Sequence, residues 1–129
     1  MKDGTALTIA SLLSIVFFTF HWADDMVRGF APGGFSALFG VAILVVWLCG
    51  TVALAGRLSG YIIMLLGGAL GVAALLLHMR GAGLVGGRIA GSSGIFFWVW
   101  TLIMLAGSSS LAGILSIRAM WRLRSGRPQ

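Results

Sequence analysis

Four long apolar runs, separated by short polar connections, constrain this chain more than any other feature. The runs cover residues 6–23, 35–56, 60–79 and 94–117. A helix needs about 20 apolar residues to cross a bilayer, so each run is long enough to span. Only 9% of the 129 residues are charged, whereas soluble domains average roughly a quarter, and this excludes a soluble protein. The sequence therefore predicts an all-α polytopic membrane protein, a four-transmembrane-helix bundle with short loops.

The distribution of basic residues predicts the orientation of this bundle. Residues 1–129 are predicted to form a single membrane domain with four spans. Residues 118–129 form a basic tail after the last span. Cytoplasmic loops retain positive charge, so the side with more Lys and Arg faces the cytoplasm. Six basic residues lie on the side of both termini and three on the other side: Lys2, Arg57 and four tail arginines against Arg28, Arg80 and Arg88. We predict cytoplasmic termini, in a plasma membrane or a bacterial inner membrane.

The net charge of +6 also bears on the partners of the protein. In a membrane protein such an excess records topology and contact with anionic lipid more often than nucleic-acid binding. We therefore expect the lipid bilayer as the surroundings, anionic lipid at the C-terminal tail, and no nucleic acid. The single Cys49 lies within an apolar run and allows no intramolecular disulfide.

Small residues recur at helical spacing in the third and fourth runs. Lipid supplies no hydrophobic drive between helices, so close packing of small side chains contributes much of their association. The predicted packing residues are Gly67, Gly71, Ala74, Ser109 and Gly113. Packing within one bundle is the simplest interpretation, and an interface in a homo-oligomer or with a membrane-protein partner is the main alternative. A break of the third helix at Gly67-Gly68, as in transporters, is a further alternative.

The first run carries a polar stripe that widens toward the predicted outer surface. At about 100° per residue, the polar side chains of this run fall on one helix face: Ser11, Ser14, His21, Asp25 and Arg28. Asp24 lies one step aside, where it can pair with Arg28 at i,i+4. The third run also leads outward and ends at His78, near the predicted depth of His21. The predicted ligand- or ion-binding residues are His21, Asp24, Asp25, Arg28 and His78.

Three of these residues also make a metal site, provided that the first and third helices are neighbours. They are His21, Asp25 and His78. Imidazole and carboxylate suit zinc, whereas the thioethers of Met26 and Met79 would favour copper(I). The sequence contains no Cys-x-x-Cys or His-x-x-x-His spacing that would specify such a site by itself.

Three functions are consistent with these residues. The leading one is a small channel, transporter or solute- or ion-binding membrane protein, because ionisable groups at the mouth of a bundle concentrate and select ions. A non-catalytic accessory or assembly subunit of a larger membrane complex, whose glycine-rich faces dock onto a partner, is the second. The third is a metal-dependent membrane enzyme in which a His–Asp pair activates water. Catalysis is not the expected role, since no nucleophile with an evident base partner occurs elsewhere.

Overall fold

The computed structural model describes residues 2–31, 33–79 and 87–126. Four α-helices occupy most of these ranges: α1 is Lys2–Val27, α2 is Ala37–Val52, α3 is Leu58–His78 and α4 is Ile95–Arg124. Two 3₁₀ turns, Gly34–Ser36 and Gly87–Ile89, precede α2 and α4, and no strand occurs in the described ranges. The predicted all-α fold is confirmed. The helices α1, α3 and α4 are long and apolar enough to cross a membrane.

Consecutive helices run in opposite directions. Trp22, late in α1, lies against Gly40, early in α2. The last helix, α4, runs back along both α1 and α3 and packs mainly against these two. The ends of α1 and α3 therefore lie beside the start of α4. At the opposite end of the bundle, the start of α1 meets the end of α4, where Asp3 pairs with Arg122.

Both α1 and α4 extend past the predicted ends at residues 23 and 117, so those boundaries are wrong. α1 continues because Asp24 forms an ion pair with Arg28, at 2.8 Å, and Asp25 turns into the protein. α4 continues to Arg124, so residues 118–124 of the predicted tail are helical. Arginine is a good helix former, and one arginine in this turn pairs with Asp3. Residues 80–86 of the predicted outer loop and residues 127–129 of the tail lie outside the described residues.

The second helix is shorter than its apolar run. α2 ends at Val52, and the chain leaves it through residues 53–57, in which Gly56 has a φ of +79°. The predicted start of the third helix at residue 60 is also wrong, because α3 begins at Leu58. The 16 residues of α2 span about 24 Å, less than the roughly 30 Å of a hydrocarbon core. The run 35–56 thus contains a helix with turns at both ends.

α3 runs without interruption from Leu58 to His78, so the break considered at Gly67-Gly68 does not occur. The two glycines face different neighbours instead. Gly67 lies against the indole ring of Trp47 in α2, where a Cβ atom would overlap with the ring. Gly68 lies against α4, so α3 is packed on both sides at this level.

Small residues let α3 and α4 approach each other closely. A Cβ atom on Gly68 would lie 2.8 Å from the backbone oxygen of Ser109 and 3.4 Å from the Cα atom of Gly113. A Cβ atom on Gly71 would overlap with the Ser109 side chain. Ala74, one turn further along α3, packs against the apolar residues at the start of α4. This close approach is the packing that helices in lipid use, and it brings the end of α3 to the start of α4.

Candidate functional site

The polar stripe of α1 faces the interior of the bundle. Ser11 Oγ lies 2.7 Å from Thr51 Oγ1 and accepts a hydrogen bond from Trp47 Nε1 at 3.0 Å, both in α2. Ser14 Oγ lies 3.1 Å from Ser108 Oγ in α4. Because lipid offers no hydrogen-bond partners, polar groups of a spanning helix are satisfied inside the protein. The stripe thus joins α1 to α2 and α4.

Asp25, near the C-terminal end of this stripe, lies at the centre of a group of side chains from three helices. Its Oδ1 atom accepts a hydrogen bond from Trp98 Nε1 of α4 at 2.7 Å. Its Oδ2 atom lies 3.0 Å from His78 Nε2 of α3 and 3.6 Å from His21 Nε2 of α1. We term His21, Asp25 and His78 the His/Asp cluster. The helices α1 and α3 are therefore neighbours at this level, the condition that the sequence left open.

Each imidazole of the His/Asp cluster has a hydrogen bond on the side away from the carboxylate. His78 Nδ1 lies 2.7 Å from the backbone oxygen of Ala74, and because a carbonyl oxygen only accepts, this nitrogen carries a proton. His21 Nδ1 lies 3.4 Å from Thr101 Oγ1, whose own proton is donated to the backbone oxygen of Trp98. His21 Nδ1 is therefore a donor as well. In the neutral form of each ring, the lone pair is then on Nε2, the nitrogen that faces the carboxylate.

Three electron-pair donors thus converge on one point: the Nε2 atoms of His21 and His78 and the Oδ2 atom of Asp25. One ligand atom from each residue lies within 4.8 Å of the other two. His21 Nε2 is buried and has no hydrogen-bond partner among the described residues. Facing acceptors repel one another unless a proton or a cation lies between them. The ligands of a tetrahedral zinc ion are about 3.3 Å apart, as its bond lengths require, and the two distances to Oδ2 bracket this value.

The His/Asp cluster is enclosed except at one edge. The side chains of His21 and Asp25 are 4% and 8% exposed, whereas that of His78 is 25% exposed. The imidazole ring centroids are 4.9 Å apart, and each is 5.2 Å from the Trp98 ring. This spacing leaves no room for a planar macrocycle between the two imidazoles, so the cluster suits a single ion rather than a haem.

Asp24 and Arg28 belong to a separate contact. Arg28 Nε donates to Asp24 Oδ2 at 2.8 Å, and the other two guanidinium nitrogens donate to Ser92 Oγ at 3.0 Å and to the backbone oxygen of Ser93 at 2.9 Å. The adjacent Gly94 has a φ of +73° and immediately precedes α4. These bonds join the end of α1 to the segment that leads into α4. The five residues predicted to bind a ligand therefore divide into the His/Asp cluster and this Arg28 contact.

The sequence does not single out Trp98 and Thr101, the two α4 residues that hold the cluster. A tryptophan early in a membrane helix is typical of an interfacial belt. The position of Trp98 in the sequence therefore gives no reason to expect that it donates a hydrogen bond to Asp25. Both residues are buried and lie three positions apart near the start of α4. Of these two residues, Thr101 is the one whose type indicates the buried face of α4, because a polar residue within a spanning helix faces other helices.

The opposite end of the bundle carries exposed charge. Asp3 pairs with Arg122, and their side chains are 47% and 37% exposed. A cavity of about 260 Å³ opens beside this pair, and Tyr61 and Arg118 contribute to its lining. We term these four residues the basic end.

No protein-family model, curated protein or solved structure matches this chain. Sequence and fold likeness therefore contribute nothing to a functional assignment. The assignment depends on the geometry of the His/Asp cluster and on the membrane-spanning length of the helices.

Proposed function

We propose that this protein is an integral membrane protein that binds a divalent transition-metal ion in the His/Asp cluster. The observation that carries the proposal is the convergence of three electron-pair donors from His21, Asp25 and His78. Ionisable groups are costly inside a membrane and mark functional sites. Each of the three ligands also has a hydrogen bond on its far side, and such bonds orient the ligands of metal centres.

The donor set favours zinc or a similar divalent ion. Two imidazole nitrogens and one carboxylate oxygen are ligands that zinc takes in proteins. Copper(I), the other expectation, requires soft ligands, and the nearby Met79 is 49% exposed at the end of α3. We therefore propose Zn²⁺ as the bound ion, and Co²⁺ as the spectroscopic substitute for it.

We also propose that all four helices cross the membrane and that both termini are cytoplasmic. The residues that follow α2 within the run 35–56 are Ala53, Leu54, Ala55 and Gly56, which carry no charge. The run is long enough to cross even though its helix is short. The excess of Lys and Arg on the side of the basic end supports an outward-facing His/Asp cluster.

Cysteine labelling tests this orientation. In a Cys49→Ser background, a cysteine introduced at Gly33 should react with an impermeant maleimide from outside. One introduced at Ser125 should react only from inside. The reverse pattern would overturn the orientation and would place the His/Asp cluster on the cytoplasmic side.

Ion binding, rather than conduction through a single bundle, is the role that the interior supports. Leu102 and Leu105 of α4 are fully buried between the level of the His/Asp cluster and the basic end. A conducting pathway needs water or free polar groups along its length. These leucines fill the interior at their level, and the hydroxyls of Ser11 and Ser14 are engaged in hydrogen bonds to other residues. An ion that enters beside His78 would therefore leave by the same route.

The test of metal binding uses the purified full chain in detergent after treatment with a chelator. Titration with Co²⁺ should give a saturable visible absorption with one ion per chain, and Zn²⁺ should displace the Co²⁺. Asp25→Asn and His21→Ala should each weaken Co²⁺ binding by at least the roughly 10–100-fold that is typical of lost outer-shell partners.

The matched control is Asp24→Asn. It changes the neighbouring carboxylate, which lies outside the His/Asp cluster, and should bind Co²⁺ like wild type. Wild-type protein that binds no Co²⁺, or cluster variants that bind it like wild type, would contradict the proposal. The cluster would then be a buried ion pair between Asp25 and a protonated His78.

A further inference from the structure

The chain cannot complete a four-coordinate metal centre from its own imidazole, thiolate and carboxylate groups. It contains two histidines, one cysteine and three acidic residues. Both histidines and Asp25 already belong to the His/Asp cluster. Asp24 is held in its ion pair with an arginine, and Asp3 lies at the basic end. Cys49 is exposed on α2. Three ligands of these types are therefore all that the sequence can bring to the cluster.

Within the described ranges, the polar side-chain atoms next to the cluster, Asp25 Oδ1 and Thr101 Oγ1, are engaged as well. Asp25 Oδ1 accepts the hydrogen bond from Trp98, which leaves Oδ2 as the free oxygen of this carboxylate. Thr101 Oγ1 donates to a backbone oxygen and lies on the far side of the His21 ring. Zinc is four-coordinate in structural sites, whereas a centre with three protein ligands keeps its fourth position for water or substrate.

We propose that the metal in the His/Asp cluster keeps one exchangeable position, which takes water or a small anion entering beside His78. This inference rests on the proposed function. The entry route follows from exposure, because the side chain of His78 is 25% exposed and those of His21 and Asp25 are 4% and 8% exposed. An exchangeable position makes the centre of the reactive kind rather than the structural kind.

Local charge selects the class of ligand. A divalent ion and the one carboxylate of Asp25 leave a net charge of +1, and the ion's own charge governs the electrostatics of such a site. The neighbouring pair of Asp24 and Arg28 is neutral overall and does not cancel this charge. A small anion is therefore favoured over a cation, and the enclosure by Trp98 and the two imidazole rings excludes a bulky solute.

The experiment uses the full chain loaded with Co²⁺, and azide is the probe. Azide should shift the visible absorption of the bound Co²⁺ saturably, with one azide per metal ion. Equilibrium dialysis should find the metal retained throughout. Perchlorate at the same concentration, a poor ligand that matches the ionic strength, should leave the absorption unchanged. Bound Co²⁺ should also accelerate the relaxation of bulk-water protons, and azide should reduce this effect.

The outcomes separate this inference from the proposed function. Bound Co²⁺ with an absorption that azide does not change, and with no effect on water protons, would overturn the exchangeable position and leave metal binding intact. Failure of the chain to bind Co²⁺ would overturn both. A saturable shift accompanied by loss of Co²⁺ into the dialysate would mean that azide strips the metal, and this also contradicts an exchangeable position.

Discussion

The two ends of the bundle place the same kind of side chain in opposite surroundings. At the His/Asp cluster, the side chain of Asp25 is 8% exposed and lies within 3.6 Å of polar side-chain atoms from three helices. At the basic end, the side chain of Asp3 is 47% exposed and pairs only with Arg122 among the contacts described. Electrostatic attraction is strong where water is excluded and weak where it is present. One aspartate is therefore part of the interior, and the other is a surface charge.

This difference indicates what each end can recognise. An enclosed set of three pre-oriented ligand atoms selects an ion by geometry as well as by charge. Exposed arginines such as Arg118 interact with anions through charge, without a fixed geometry. The enclosed end also depends on every member of its network, because a buried polar group that loses its partner pays the full desolvation cost.

Removal of each aspartate should give the largest contrast between the two ends. Asp25→Ala leaves Trp98 Nε1 and His78 without their acceptor, and breaking a buried pair typically costs about 3–5 kcal/mol. Asp3→Ala removes an exposed ion pair worth about 0–1 kcal/mol. Unfolding in mixed SDS micelles measures both. Asp25→Asn keeps an acceptor for Trp98, so its loss of unfolding free energy should fall between those of the two alanine variants. Equal free energies of unfolding for the two alanine variants would contradict the difference between the two ends.

Crowding the contact between α3 and α4 should give the next largest effect. Gly71→Leu would push against Ser109, and overpacking of this kind costs about 1–3 kcal/mol. It should also weaken Co²⁺ binding, because this contact brings His78 to the start of α4. Gly107→Leu is the matched control, since a Cβ atom there meets nothing within 4 Å. If both variants bind Co²⁺ equally well, the close helix contact does not position the His/Asp cluster.

Acidification over the range in which histidine titrates should act on the His/Asp cluster, because both histidines of the chain lie there. A metal requires neutral imidazole, and free imidazole takes up a proton as the pH falls through about 6.5. As the pH falls, the affinity for Co²⁺ should therefore fall by up to roughly tenfold per pH unit for each histidine that must lose a proton. Titrations from neutral to acidic pH measure this slope. A pH-independent affinity would mean that neither His21 nor His78 is a ligand.

The smallest effect is expected from the exposed arginines. We propose that the basic end retains anionic lipid, to which each basic residue near the surface contributes about 1 kcal/mol, or roughly fivefold. Arg118→Gln should lower the ratio of phosphatidylglycerol to phosphatidylcholine retained on purification by about this factor. Its Co²⁺ affinity should stay at the wild-type value. If Arg118→Gln instead lost Co²⁺ binding without a change in retained lipid, the basic end would affect the His/Asp cluster. This result would contradict the independence of the two ends.

The sequence was sufficient for the properties that depend on local pattern. Apolar run length predicts helices that cross a bilayer, because a hydrogen-bonded helix has a constant rise per residue. Helical periodicity likewise placed His21 and Asp25 on one face of α1, and both are buried together. The helix ends were predicted less well. Charged residues continue α1 and α4 where a partner lies within reach, and the partners are known only once the helices are packed.

The tertiary structure decided which residues meet. His78 lies 53 positions from Asp25, and Trp98 lies 73 positions from it, yet all three are in contact. Periodicity specifies the angle of a side chain around its own helix axis, but it does not specify which helix lies opposite or at what height. The identity and the height of the opposite helix depend on how the helix surfaces pack. Here they depend on the close contact between Gly71 of α3 and Ser109 of α4. The polar stripe of α1 was therefore readable from the sequence, whereas its completion into the His/Asp cluster required the packing of three helices.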